Sequence, residues 1–169
     1  MLDRWEDGET LSQRLTHEAL GRYALTIVMK GLAQGLSALH EHDVIRREQS
    51  PDCVLLRRQD DRPILCDLEL SKLTDGAPTV SPDDWPDDPY RAMEVGGDAP
   101  IDARADLYSW GRIFVHAATG KLPGRGEESL AEVRLPDGVR EIVMQCVAVP
   151  RSQRPTGMKS VLKALKTWS

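Results

Sequence analysis

The stretch from Ala105 to Thr119 constrains the fold of this 169-residue chain more than any other segment. Its spacing predicts a helix with apolar residues on nearly every face, among them Trp110, Ile113 and Phe114. A helix that is apolar all round must be surrounded by other elements. Gly120 follows directly and predicts a C-cap, because glycine readily adopts the left-handed conformation that ends many helices. The chain is therefore predicted to fold around a central buried helix.

Other segments predict a single, mainly α domain over residues 1–169. Apolar residues at helical spacing predict four more helices, over residues 11–15, 20–42, 139–147 and 158–165. Gly31 and Gly35 fall inside the second of these and suggest close packing against a neighbouring helix. Two short apolar runs, Val54–Leu56 and Pro63–Cys66, predict a small β-hairpin. Residues 74–100 show no periodicity and predict a long loop of the kind that usually has a function.

The composition excludes several classes of function. A net charge of −5 argues against a nucleic-acid-binding surface. Cys53, Cys66 and Cys146 form no C-x-x-C pattern, which predicts reduced thiols and no disulfide framework or zinc site. No apolar run approaches bilayer length, and residues 1–7 lack the apolar core of a signal peptide. We therefore expect a cytoplasmic protein that contacts neither membrane nor nucleic acid.

Two neighbouring segments stand out by their residues and their spacing. Residues 44–56 contain Arg46-Arg47-Glu48 and, five positions after the glutamate, Cys53; Asp67-Leu68-Glu69 follows the second hairpin strand. The spacing is similar to that of the H-R-D-x-x-x-x-N catalytic loop and the D-F-G motif of protein kinases. In that family the loop aspartate accepts the substrate hydroxyl proton, and the asparagine and the D-F-G aspartate bind magnesium.

Further landmarks extend the resemblance along the chain. They are a hinge-like segment at residues 1–10, Asp88-Pro-Tyr-Arg-Ala-Met-Glu94, Ala105-Asp-Leu-Tyr-Ser-Trp-Gly111 and Arg151-Ser-Gln-Arg-Pro-Thr156. In this order they resemble the C-terminal lobe of the protein kinase fold, with residues 44–56 as the catalytic loop and 67–94 as the activation segment. The glycine-rich loop and lysine-bearing strand of an N-terminal lobe are absent from these residues.

The resemblance implies that much of the catalytic chemistry has been replaced. Glu48 stands at the aspartate position, and its longer side chain moves the carboxylate by about an ångström, a displacement that can cost ~10²-fold in rate. Ser50 replaces a lysine and offers no positive charge. Cys53 replaces the asparagine, and a thiol is a poor ligand for magnesium, which prefers oxygen. Asp67 retains a metal-binding carboxylate, which alone would hold nucleotide-bound magnesium weakly.

Structural positions of the family are retained instead. The resemblance implies that Glu94 pairs with Arg154 and that Asp106 caps the catalytic-loop backbone. Arg47 matches an arginine that grips an activation-loop phosphate, with acceptors among Thr74, Thr79 and Ser81. Arg46 needs a carboxylate partner, for which Asp106 is a candidate. We expect the histidines to hold no metal, with His40 and His116 packed and His17 and His42 facing solvent.

Three functions remain open. The favoured one is a non-catalytic, pseudokinase-like regulatory or interaction module that needs no cofactor, with a protein partner or an oligomer covering the surface that would face an N-terminal lobe. The alternative is the C-terminal portion of a divergent protein Ser/Thr kinase, in which Glu48 is the base and ATP and Mg are bound with help from residues outside this chain. The third is a helical adaptor whose likeness to kinases is only ancestral.

Overall fold

The structure is a computed structural model that describes residues 8–66, 72–73, 88–96, 100–122, 124 and 130–168. The described residues form five α-helices and five short strands. In chain order these are β1 (Gly8–Thr10), α1 (Leu11–Leu15), α2 (Arg22–His40), β2 (Val44–Ile45), β3 (Val54–Arg57), β4 (Pro63–Leu65), β5 (Lys72–Leu73), α3 (Arg104–Thr119), α4 (Asp137–Cys146) and α5 (Met158–Leu165).

Helix α3 is the central helix that the sequence predicts. Every residue from Ala105 to Val115 is buried, and α3 packs against α2 and α4. The indole N–H of Trp110 donates to the Met29 carbonyl of α2 at 3.1 Å, so even the polar atom of this buried ring has a partner. Gly120 ends the helix at φ 68°, as the sequence predicts, and its N–H donates to the His116 carbonyl at 2.8 Å. The buried helix thus organises the other elements.

Helix α2 packs closely against a strand where the sequence suggested a helix. A Cβ on Gly31 would lie 2.6 Å from the ring of Pro63, and a Cβ on Gly35 would lie 2.9 Å from Leu65 Cδ1. Both neighbours belong to β4. The two glycines therefore form a groove on α2 that admits the hairpin, while α5 packs elsewhere on the same helix.

The predicted hairpin is present and forms part of a larger sheet. Strands β3 and β4 pair antiparallel with Leu55 opposite Ile64, and β1 adds a third strand on the other edge of β3, with Glu9 opposite Leu56. The sequence did not predict β1, because three residues are too few to show an alternating pattern. A separate pair joins β2 to β5, with Ile45 opposite Lys72.

The described part of the long loop lies at its C-terminal end. Residues 88–96 run along α3 and include a 3-10 turn at Met93–Gly96, and Ala92, Val95, Ala105 and Tyr108 form a small apolar cluster there. No helix within the described ranges is both long and apolar enough to cross a lipid bilayer.

Candidate active site

The central helix α3 holds the catalytic-loop segment, residues 44–56, by hydrogen bonds. Asp106, fully buried in the first turn of α3, accepts the backbone N–H groups of Arg46 and Arg47 at 2.9 and 2.8 Å. Nε2 of His40 lies 2.7 Å from the same carboxylate, and this histidine side chain is 12% exposed, so it is packed as predicted. Arg47 has φ 68°, which is uncommon for a residue with a side chain. One carboxylate therefore holds a strained loop against the core.

The guanidinium of Arg46 has a different partner from the expected one. Its Nη1 donates to the backbone carbonyl of Cys66 at 2.8 Å, while Asp106 receives only the backbone N–H of Arg46. The prediction of an ion pair with Asp106 is wrong, because both oxygens of that carboxylate already accept backbone donors and His40. The contact instead ties the loop to the end of β4.

Glu48 is half-buried on the same loop. Burial raises the pKa of its carboxyl above the ordinary value, the charge of Asp88 raises it further, and the charges of Arg91 and Arg46 act in the opposite direction. A carboxyl with a raised pKa is a better proton acceptor than an exposed one once it is ionised. Glu48 thus lies among charges from the loop and from the segment that precedes Glu94.

Ser50 and Cys53, which stand at the lysine and asparagine positions of the family, lie close together. Ser50 Oγ is 3.6 Å from Cys53 Sγ, and a 3-10 turn at Pro51–Cys53 leads from the loop into β3. A hydroxyl and a thiol provide neither the positive charge nor the amide oxygen that phosphoryl transfer uses at these positions. The thiol of Cys53 is therefore a poor ligand for a hard cation such as magnesium.

The other predicted ligands lie largely outside the described residues. Asp67 lies there, and so do the candidate phosphate acceptors Thr74, Thr79 and Ser81. Within the described part of the chain, no three His, Cys, Asp or Glu side chains are grouped so that they could hold a metal ion. His17 and His42 are exposed, as expected.

Glu94 and Arg154 form a bidentate ion pair. The two guanidinium nitrogens Nη1 and Nη2 lie 2.5 and 3.2 Å from the two carboxylate oxygens, and the side chains are 1% (Arg154) and 16% (Glu94) exposed. Arg154 also donates to the carbonyls of Arg104, Ala148 and Val149, and its guanidinium lies 4.7 Å from the ring centroid of Tyr108. The pair joins the 3-10 turn before α3 to the segment before α5.

A groove of about 550 Å³ opens beside the loop. Its lining includes Ser50 and Asp52 from the loop, Asp88 and Tyr90 from the following segment, and His116 from α3. The Tyr90 hydroxyl lies 2.6 Å from His116 Nδ1 and the rings stack at 6.0 Å, while burial lowers the pKa of His116. Sequence reasoning assigned His116 to packing alone and missed the groove, because its walls come from separate segments spread between residues 12 and 122.

The order of these features along the chain matches a known family. The family model of the protein kinase domain matches residues 2–166, which is nearly the whole chain. The chain belongs to the protein kinase domain family. Curated relatives agree: serine/threonine-protein kinase C of Synechocystis sp. is 32% identical over 133 residues, covering 73% of this chain.

Two further relatives of this kinase-family chain come from distant organisms. Serine/threonine-protein kinase pkn2 of Myxococcus xanthus is 29% identical over 71% of the chain, and serine/threonine-protein kinase ATG1a of Arabidopsis thaliana is 30% identical over 73%. The aligned region amounts to 24% of the Synechocystis kinase, 15% of pkn2 and 22% of ATG1a. The kinase-family chain therefore spans about a quarter or less of the length of these relatives.

Proposed function

We propose that this chain is the C-terminal portion of a protein Ser/Thr kinase domain, with Glu48 as the group that accepts the proton of a substrate hydroxyl. One observation carries the proposal: Asp106 holds the backbone of Arg46 and of the strained residue Arg47. Glu48 is the next residue, and it lies close enough to Asp88, beside the groove, for the charge of Asp88 to affect its pKa. The relatives named as Ser/Thr kinases support the same reaction class.

Substrate binding is assigned to the groove beside the loop. Asp52 and Asp88 supply two carboxylates to its wall, and Leu15 and Leu122 supply apolar surface. A polypeptide segment that carries a basic side chain near the accepting hydroxyl fits this lining, because the two carboxylates attract a cation. The proton of the hydroxyl would pass to a Glu48 oxygen as the hydroxyl oxygen attacks the phosphoryl group.

ATP with magnesium is the cofactor that this family implies, and the residues present fit it only in part. Asp67 is the one retained carboxylate for the metal, whereas Cys53 and Ser50 offer neither the oxygen nor the charge expected. In the proposal, the remaining contacts to the nucleotide come from residues outside the 169 of this chain.

The contact between Ser50 and Cys53 favours a second candidate, a non-catalytic lobe that regulates or binds another protein. The sheet face turned away from the helices carries the half-buried apolar pair Leu55 and Ile64, which lie opposite each other. In this candidate a partner protein or a second copy covers that face. A non-catalytic lobe needs no metal ligand at the position of Cys53.

A thermal-shift titration with ATP distinguishes the two candidates. If the Kd is about 0.1 mM, 10 mM ATP stabilises the chain by about 2.7 kcal/mol. A gain of that size raises the Tm by roughly 5–10 °C. When the residues that complete the nucleotide site are supplied, the kinase candidate predicts such a rise in the presence of magnesium or manganese and its loss in Asp67→Ala. Under the same conditions, no rise with the wild-type residues, together with a rise in the double variant Ser50→Lys/Cys53→Asn, supports the non-catalytic candidate.

A phosphoryl-transfer assay tests the role of Glu48 directly. With the residues that complete the nucleotide site supplied, Glu48→Gln is expected to lower kcat by about 10²–10⁴-fold, the usual contribution of a general base. The matched control is Glu132→Gln, which changes an exposed glutamate. Equal activities of Glu48→Gln and Glu132→Gln would remove Glu48 from the mechanism.

A further inference from the structure

Two of the three cysteines face each other across the hairpin. Cys53 precedes β3 and Cys66 follows β4, and the register of Val54 with Leu65 places these cysteines as the next opposing pair. The N–H of Cys66 donates to the Cys53 carbonyl at 3.1 Å, so the ladder continues to this pair. The Cα atoms of a hydrogen-bonded antiparallel pair lie about 5.5 Å apart, a separation that suits a disulfide.

Cys66 directly follows β4, whereas Cys53 is the last residue of the 3-10 turn Pro51–Cys53. Pro63 and Leu65 of β4 meet Gly31 and Gly35, so their face is turned toward α2. Cys66 follows Leu65 and therefore lies on the opposite face. The Cys53 side chain leaves the turn beside Ser50, with its Sγ 3.6 Å from Ser50 Oγ, so its direction is set by the turn and not by strand alternation.

The two cysteines are joined by one backbone hydrogen bond, and their other backbone groups have other partners. The N–H of Cys53 donates to the Ser50 carbonyl and not to Cys66, and the Cys66 carbonyl accepts Arg46 Nη1. Only one of the two ladder hydrogen bonds therefore joins the cysteines. Both residues are half-buried, which leaves an approach for a small oxidant.

We propose that Cys53 and Cys66 are a site of reversible oxidation and form an intramolecular disulfide. With glutathione disulfide as oxidant, one cysteine thiolate attacks the glutathione sulfur, giving a mixed disulfide and one glutathione thiol. The second cysteine thiolate then displaces the other glutathione. Two protein thiols lose two protons and two electrons, one S–S bond forms in the protein, and one glutathione disulfide becomes two glutathione molecules.

Cys146 provides an internal control in the same molecule. It is fully buried in α4, and burial raises the pKa of its thiol to about 12. Its thiol is therefore protected from the oxidant as long as the chain stays folded. The proposal concerns only the hairpin and does not depend on whether the chain transfers phosphate.

Peptide mapping tests the proposal, because trypsin places the three cysteines in separate peptides. Cys53 falls in Glu48–Arg57, Cys66 in Gln59–Lys72 and Cys146 in Glu141–Arg151. The native 169-residue chain, at low micromolar concentration, is incubated with glutathione disulfide, alkylated, digested and analysed by mass spectrometry. We expect the peptides of Cys53 and Cys66 to be linked, with a mass two hydrogen atoms below the sum of the two peptides. The peptide of Cys146 should be unlinked, with its thiol alkylated once the chain is denatured.

Single substitutions provide the matched variants. Cys53→Ala and Cys66→Ala should each abolish the linked pair and leave a glutathione adduct on the remaining hairpin cysteine, whereas Cys146→Ala should leave the link intact. Circular dichroism shows whether each variant is folded. The proposal is wrong if the wild-type chain gives separate glutathione adducts on both hairpin cysteines, covalent dimers on a non-reducing gel, or unmodified thiols at both positions.

Discussion

Oδ1 of Asp106 accepts the backbone N–H of Arg47 at 2.8 Å, which joins the central helix to the residue before Glu48. Arg47 has φ 68°, a conformation that costs about 1–3 kcal/mol for a residue with a side chain unless its surroundings enforce it. The buried carboxylate provides that enforcement. The position of Glu48 therefore depends on a residue almost sixty positions later in the chain.

Replacing Asp106 by asparagine should destabilise the fold. The amide retains one acceptor oxygen, so one of the loop N–H groups loses its charged partner, at a cost of about 1.5–3 kcal/mol. Urea unfolding measures the free energy of unfolding. Asp43→Asn is the control, because Asp43 is exposed and has a positive φ that asparagine also tolerates. A loss in Asp106→Asn no larger than in this control would contradict the role given to the carboxylate.

The ion pair of Glu94 and Arg154 should contribute more to stability than an exposed pair. Glu94→Gln leaves the 1%-exposed guanidinium of Arg154 without its carboxylate, and such a loss typically costs about 3–5 kcal/mol. The matched exposed pair is Lys159 with Glu41, at 3.5 Å and with side chains 81% and 55% exposed. Glu41→Gln should change the free energy of unfolding by only about 0–1 kcal/mol. Similar losses in both variants would count against a structural role for Glu94.

Two glycine substitutions should change the free energy of unfolding in opposite directions. Gly31→Ala places a Cβ 2.6 Å from the rigid ring of Pro63, and overpacking of this kind costs about 1–3 kcal/mol. Gly138→Ala, in the first turn of α4, meets no atom within 4 Å. It should raise the free energy of unfolding by roughly 0.5–1 kcal/mol through helix propensity. Thermal unfolding of both variants shows whether each is more or less stable than the wild-type chain. A more stable Gly31→Ala variant would refute the close contact between α2 and β4.

Lowering the pH should destabilise the fold because the unfolded chain binds a proton at His116 more readily than the folded chain does. Burial lowers the pKa of His116 in the folded state below the ordinary value of about 6.5, so the unfolded chain binds the proton more readily. This contribution to stability is complete above pH ~6.5 and is lost as the pH falls through the folded-state pKa. The His116 Nδ1 lies 2.6 Å from the Tyr90 hydroxyl, so protonation of the ring places a positive charge beside this hydroxyl.

Urea unfolding between pH 7.5 and 5 measures this dependence. His116→Gln should reduce the decline of the unfolding free energy over that range, whereas His17→Gln, at an exposed position, should leave it unchanged. An identical decline in the wild-type chain and in His116→Gln would show that other groups cause the acid sensitivity.

Elements whose patterns are local could be predicted from the amino-acid sequence. The all-round apolar segment became the central helix α3, the runs at 54–56 and 63–66 became a hairpin, and Gly120 ended α3 in the left-handed region. The order of the motifs predicted the protein kinase family that the comparisons then showed. Local patterns suffice here because helical periodicity, burial and capping each depend on residues a few positions apart.

Contacts between groups far apart in the chain became visible in the folded structure. It gave Arg46 a carbonyl partner in Cys66, because the oxygens of Asp106 were already used by backbone donors. It also brought His116 against Tyr90 in a groove and set Cys53 opposite Cys66 at the end of a ladder. Such contacts follow from strand register and from the packing of loops on the central helix, and neither is encoded in the spacing of residues along the chain.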